Sequence, residues 1–422
     1  MAEFTQVSSL TGFFYEIYDK IVDPIPTMAK LMSAIPFKGG ALEIGNKLHV
    51  NVIVSDEGGF TYAARDAGAF AVSAGISFMT QDAQVDAFQL LLQGSVDYES
   101  AARASSSRKA FLELVGKKLQ VMVASTKRRY ESEMWYGQHI KGLGEIDTSG
   151  VAGQVITLSI AEFAPMMWQG KTGQQVDIWD AAGTTKRAGS PFSIGAVNTS
   201  TRKITLVGTM TAVVDTDVLV WTGSYGTAIS AAQAKTCAGV FQIASNVGTL
   251  FNIPAATYDV WQGNSLALSA TKLTLAKVMN AMATLANRGL EGDVDLYCSP
   301  LTWSTIVSDQ AALRRYQAEV VTKQQNGAKA IEFFYQTGKI SIIGHGMVKQ
   351  GYAAILETRK WKRIGAQDFS FKTPGLEEGR DIFWHDPGKA GFSYRYYGAQ
   401  ALFCEMPSHQ MLISNIDNAS AT

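Results

Sequence analysis

The sequence is poor in the residues that usually give a function away. Its three cysteines, Cys237, Cys298 and Cys404, stand far apart in 422 residues. An odd number without paired spacing excludes a disulfide framework and predicts free thiols in a reducing compartment. The five histidines, His49, His139, His345, His385 and His409, are scattered, and none sits at the i, i+4 spacing of a helical metal pair. Neither charge is in excess: 37 basic residues meet 37 acidic ones. A protein that grips nucleic acid by its backbone usually carries a basic surplus, so that class is disfavoured. No stretch approaches the ~20 apolar residues of a membrane span. Met-Ala-Glu-Phe-Thr-Gln at the start has neither the basic nor the apolar region of a signal peptide. A soluble protein, made in the cytosol and contacting no membrane, is expected.

Catalytic motifs are equally scarce. Gly170-Lys171-Thr172 has the end of a phosphate loop, but Pro165 stands where its leading glycine belongs. Ser106–Lys109 fits Ser-x-x-Lys and Lys171-Thr172-Gly173 fits Lys-Thr-Gly, yet the intervening Ser-x-Asn of a β-lactamase-type site is missing. Thr222–Gly226 lacks the first glycine of a nucleophile elbow, and Gly344-His345-Gly346 reads as a turn at a strand end. Asp177 with Asp180, or Asp293 with Asp295, could pair as carboxylates, but alternation in a strand usually marks a solvated face. No enzyme and no cofactor is predicted. A soluble hydrolase with a site assembled from distant residues is the rival from another class.

What the chain does have is order. Hydrophobic residues make up 46% and charged ones 18%, the balance of a folded protein with room for two or three domains. The dominant stretch is Ser107–Gln138, which has no proline and Gly116 as its one glycine before Gly137. Phe111, Val115, Leu119, Met122, Thr126, Tyr130 and Met134 recur at three- or four-residue steps, which stacks them on one helical face. Ser107 suits the N-cap and Gly137 the C-terminal stop. At ~1.5 Å per residue the helix runs roughly 45 Å, against an average of about 11–12 residues for globular helices.

Upstream, Phe4, Phe13, Phe14, Tyr15 and Tyr18 mix with Pro24, Pro26, Pro36, Gly39 and Gly40 in a segment that cannot form one helix. It reads as an arm that packs on something else, or as a short helix docked on its own domain. Leu48–Val54 and Gly75–Met79 are strand-like around Asp56-Glu57-Gly58-Gly59, and the small residues of Ala67–Ala74 form a flexible tip. Downstream, Val155–Ile160 is strand-like. Then Val176–Trp179, Phe192–Val197, Lys203–Val207, Ala212–Val214 and Val218–Trp221 are short strands split by turns, the pattern of a small barrel or sandwich. Lys272–Asn287 is an amphipathic helix, Asp293–Cys298 a strand, and Ser299-Pro300 caps a helix through Trp303, Ile306 and Val307 towards Leu313. Ile331–Phe333, Gly338–His345 and Gly351–Leu356 read as sheet strands, and Ile382–Trp384, Ser393–Tyr397 and Ala401–Phe403 return to β pattern.

The end of the long helix, Arg128-Arg129-Tyr130-Glu131 with Met134-Trp135-Tyr136-Gly137-Gln138 and Gly142-Leu143-Gly144, resembles the spine helix of tailed-bacteriophage major capsid proteins of the Hong Kong 97-type fold. The order arm, hairpin, long helix, β-rich stretch, then helix, strand and Ser-Pro-opened helix carries the likeness along the chain. The resemblance implies an α+β capsid fold. Its parts would be an N-terminal arm (1–46), an E-loop hairpin (47–100), a peripheral domain with the spine helix (101–169), a β-rich insertion domain (170–226), an axial domain (227–365), and C-terminal strands returning to the peripheral domain (366–422).

It further implies a structural protein that self-assembles through pentamers and hexamers into an icosahedral virion shell around double-stranded DNA in the bacterial host cytoplasm. Scaffolding, portal and decoration proteins would be partners, with packaged DNA in weak non-specific contact. An encapsulin-like compartment is the related alternative. Phe13, Phe14 and Tyr15 on the arm, and Asp56, Glu57, Phe60 and Tyr62 on the hairpin, become candidate intersubunit contacts. Lys127, Arg128 and Arg129 read first as a solvated helix turn with i, i+4 ion pairs. Otherwise they are inner-surface basic residues that touch DNA or a neighbouring subunit.

Overall fold

The computed structural model describes residues 29–39, 42–44, 47–99, 108–210, 212–308, 331–371, 384–385 and 388–418. Helices and strands are mixed, and the chain forms two compact units from interleaved stretches. One draws its described residues from Met1–Gly40, Ala87–Gly239 and Arg363–Leu402; the other draws on Ala41–Asp86, Val240–Lys362 and Phe403–Thr422.

The first unit is organised on the long helix, Arg108–Tyr136. Met122, Thr126, Tyr130 and Met134 of the predicted stripe are buried; the side chains of Phe111 and Val115, and Ser107 itself, lie outside the described residues. Met122 packs with Val96, Tyr394 and Tyr396, while the Tyr130 ring meets Phe369 edge-on at 5.1 Å. Those partners come from a five-stranded sheet in which Phe88–Asp97 runs antiparallel to Gly391–Cys404. The strand 88–97, which the resemblance placed in the hairpin of 47–100, thus belongs to this sheet.

The helix ends at Gly137 for a steric reason. A Cβ there would lie 2.1 Å from the Cys237 carbonyl oxygen, so only glycine lets the crossing backbone approach. Near the middle of the helix, the buried Glu131 carboxylate accepts the amides of Leu31 (2.9 Å) and Met32 (2.8 Å). Arg363 holds the same segment through the Ile35 carbonyl at 2.9 Å. Residues 29–38 are therefore docked within their own unit, held by their backbone polar groups.

The β-rich stretch is a closed six-stranded barrel in the same unit. Its order is Lys203–Val207, Val155–Leu158, Gly144–Ala152, Val218–Trp221, Gln175–Trp179, Phe192–Asn198. The barrel therefore begins at Gly144, well before the expected boundary at 170: without the first two strands the sheet could not close and would keep open edges. Ala212–Val214 is not a strand, because the Asp217 carboxylate takes the Val214 amide at 2.8 Å and folds the segment into a turn. The interior is apolar, with Ile146, Ile156, Ile178, Phe192, Ile204 and Leu219 all buried.

The second unit contains a six-stranded sheet ordered Asn264–Thr271, Met411–Ile416, Ala353–Leu356, Val294–Cys298, Lys339–Gly344, Ile331–Phe334. Helix Leu275–Ala286 presents Leu275, Val278, Met282 and Leu285 to the core of this sheet, as its periodicity predicts. Ser299 caps helix Pro300–Ser308 by accepting the Thr302 amide at 3.2 Å; its continuation towards Leu313 lies outside the described residues. Met411–Ile416, expected to return to the peripheral domain, is instead an inner strand of this sheet, parallel to one neighbour and antiparallel to the other.

Candidate assembly surface

The second unit also carries the hairpin. Lys47–Ser55 pairs antiparallel with Met79–Val85, in the register Leu48 opposite Val85 and Val50 opposite Ala83. Leu48, Val54, Ala83 and Val85 are buried, so the stem has its own apolar face. Two contacts anchor its base to the 249–258 turn region. The Gln84 amide donates to the Phe251 carbonyl at 3.0 Å, and Gln81 Nε2 donates to the Tyr258 hydroxyl at 3.0 Å. Across the stem, His49 Nδ1 lies 2.6 Å from Asp82 Oδ2.

Beyond Ser55 the support stops. Residues 56–78 make one isolated bridge, Gly58 with Ile76, and one side-chain tie, the Ser73 amide to Thr61 Oγ1 at 2.7 Å. The strand predicted at Gly75–Met79 begins only at Met79, since among the described residues the isolated bridge of Ile76 to Gly58 is all that pairs before it. Asp56 and Glu57 are exposed where the loop leaves the stem. Phe60 is 77% exposed and Tyr62 94%, and Phe70, Val72, Ile76 and Phe78 join them at the surface. A contiguous run of large apolar side chains left in water is the mark of a surface that another molecule covers. Fully burying an apolar side chain of this kind contributes roughly 1.5–3 kcal/mol.

The fold thus brings Asp56, Glu57, Phe60 and Tyr62 onto one extension. Phe13, Phe14 and Tyr15 lie outside the described residues. Phe70, Val72, Ile76 and Phe78 were not singled out by pattern. Interspersed glycines and alanines made 67–74 read as a mere flexible tip, and the alternation of Phe70 with Val72 was the signal that could have found them.

The basic run divides. Lys127 is exposed. Arg128 is buried and donates to Ser125 Oγ at 3.3 Å, so in this chain it is not an inner-surface residue. Arg129 is half-buried, pairs with Glu133 at 3.3 Å across one helical turn, and lies over the Trp221 ring with Cζ 4.0 Å from its centroid. The i, i+4 pair expected from the sequence therefore exists, but it is packed against the Trp221 ring and only partly solvated. Burial pushes the Glu133 carboxyl up from its ordinary range, with Arg129 acting against the shift. Among the described residues no group of three or more His, Cys, Asp or Glu could hold a metal ion, and no helix is long and apolar enough to cross a membrane.

No family model matches the sequence, and no curated protein does. Among solved structures, the chain is similar to the cyanophage A-1(L) capsid asymmetric unit, with 12% identity, coverage of 94% of this chain and 96% of that one, and a TM-score of 0.49. It is similar to Mycobacterium phage Bobi at 10% identity, 97% and 98% coverage and a TM-score of 0.43. It is also similar to the holo-SrpI encapsulin complex from Synechococcus elongatus at 10% identity, 96% and 95% coverage and a TM-score of 0.42.

Proposed function

We propose that this chain is a major capsid protein of the Hong Kong 97 type, a structural subunit that self-assembles into a closed shell around double-stranded DNA. The observation that carries the reading is the hairpin extension. Its stem is paired strand to strand, whereas its loop from Asp56 to Phe78 holds apolar side chains that stand exposed among the described residues. The long helix and its sheet supply a rigid body of the kind a shell needs, and the extension supplies reach to a second copy. Many modest interfaces then add through multivalency, and closure of symmetric contacts stabilises the assembly. Asp56, Glu57, Phe60 and Tyr62 would lie in contacts between copies. Lys127 remains a residue that could face packaged DNA. Pentamers and hexamers, scaffolding, portal and decoration partners, and assembly in a bacterial cytoplasm belong to the same proposal.

Negative-stain microscopy with light scattering on the purified full chain tests it, expressed alone and with neighbouring genes. Hollow shells hundreds of ångströms across, or pentamers and hexamers that close into them, are expected. A stable monomer or dimer in every condition would overturn the reading and favour an enzyme with a dispersed site. Shells that hold protein cargo and no DNA would replace the phage capsid by an encapsulin-like compartment.

A further inference from the structure

Lys171, discarded above as part of a phosphate-loop or Lys-Thr-Gly motif, ends up in an unusual place. It precedes the barrel strand Gln175–Trp179 and is only 5% exposed. Its Nζ lies 5.4 Å from the centroid of the Trp221 ring, the same ring that Arg129 covers at 4.0 Å. Trp221 belongs to the barrel strand Val218–Trp221, and its Nε1 donates to Ser132 Oγ of the long helix at 3.1 Å. Trp168 packs on the same indole with ring centroids 6.0 Å apart. Trp221 is thus the joint by which the barrel sits on the helix.

Among the described residues, the charges that act on Lys171 are those of Arg129 and Arg128, both positive. The helix presents Arg128, Arg129 and Glu133; Glu133 is committed to Arg129, while Glu131 is turned to the Leu31 and Met32 amides. The barrel presents the indole of Trp221, and residues 165–168 present that of Trp168. Among the described residues the Lys171 ammonium has no hydrogen bond and no ion pair. An ammonium largely removed from water beside two guanidiniums is costly, and a cation–π contact at 5.4 Å from the ring centroid offsets only part of it. The economical state is the neutral amine.

We propose that Lys171, set among Arg128, Arg129 and Trp221, makes the seat of the barrel on the long helix a proton-sensitive joint. Burial first, then the repulsion of Arg129 and Arg128, lowers the Lys171 pKa from 10.5 to about 7. When the joint opens and water reaches the amine, the pKa returns towards its ordinary value. The open state therefore binds more protons between pH 7 and 10.5, and the closed joint gains stability as pH rises through that window. Below pH 7 both states are protonated and this contribution is flat, with the joint at its weakest. The opening equilibrium falls by up to about tenfold per pH unit between 7 and 9. Glu133, raised by burial, contributes the opposite slope at lower pH, so the Lys171 component is isolated by comparing variants.

The test is urea unfolding of the full chain followed by tryptophan fluorescence at pH 6, 7.5 and 9, for wild type, Lys171→Met and Lys171→Arg. Methionine keeps the length without the charge; arginine cannot shed its proton. Lys171→Met is expected to exceed wild type at pH 6, with the advantage fading by pH 9. Lys171→Arg is expected to track wild type at pH 6 and fall behind at pH 9. An offset between Lys171→Met and wild type that stays constant with pH, in either direction, would overturn the proposal. Should the variants not fold, fluorescence of the folded wild-type chain decides: an inflection near pH 7 supports the joint, and a flat response from pH 5.5 to 9 overturns it. Shell formation is not read in this experiment, so its outcome is separate from that of the capsid proposal.

Discussion

The barrel of residues 144–221 and the hairpin loop of residues 56–78 are built from similar material, short β-compatible stretches broken by glycine, and they reach opposite ends. In the barrel, apolar side chains point at one another and the turns are tied by carboxylates. Asp215 accepts the Ser149 amide at 2.6 Å and the Gly150 amide at 3.2 Å. Asp217 accepts the Val214 amide and both Nε and Nη2 of Arg187, at 2.9 and 2.6 Å. In the hairpin loop one bridge, one side-chain tie and the Ala67-to-Ala64 turn bond hold 23 residues, 56 to 78, most of them exposed. The barrel is complete in one chain. The loop is not, and that incompleteness is what makes it a candidate for binding a second copy.

Substitutions can break or sharpen this contrast. The largest stability loss is expected from Trp179→Ala, which empties a site that is 1% exposed in the cluster with Val218, Val220, Tyr225 and Ile229; about 3–5 kcal/mol should appear as a lowered urea midpoint. Asp217→Ala comes next. It orphans the Val214 amide and unpairs the partly exposed Arg187, for about 2–4 kcal/mol in the same measurement. Phe60→Ser with Tyr62→Ser should reverse the pattern: stability within about 0.5 kcal/mol of wild type, but no shells by microscopy and light scattering. If that double variant assembles normally, the loop is not the contact proposed here. Smallest of all, Asp56→Asn with Glu57→Gln should leave stability unchanged and weaken assembly by about 0–1 kcal/mol, an effect that added salt erases.

Local pattern made much of this legible. The barrel strands Gln175–Trp179, Phe192–Asn198, Lys203–Val207 and Val218–Trp221 lie within a residue of where alternation places them. The long helix is marked by its stripe and by Gly137, and the Ser299 cap by its residue types. Gly144–Ala152 was missed as a strand because Gly144, Asp147, Ser149 and Gly150 have low β propensity, and closure of the barrel overrides that preference. Arg128 and Arg129 read as surface residues because an isolated helix would expose them; the Trp221 ring that Arg129 packs on is encoded tens of residues later.

By itself, then, the sequence determined the type of its strongly patterned elements, such as the long helix and the barrel strands from Gln175 on, since period, caps and turn residues act within a few neighbours of each position. It also determined that the extension is apolar, through Phe60, Tyr62, Phe70, Val72, Ile76 and Phe78. Only the tertiary structure decided pairing and exposure. Met411–Ile416 joined the sheet beside Asn264–Thr271, and Phe88–Asp97 left the hairpin for Gly391–Cys404. Lys171 lost its water for the same reason: which strand finds which partner, and which side chain is then covered, depends on contacts between residues far apart in the chain, and no local pattern carries that information.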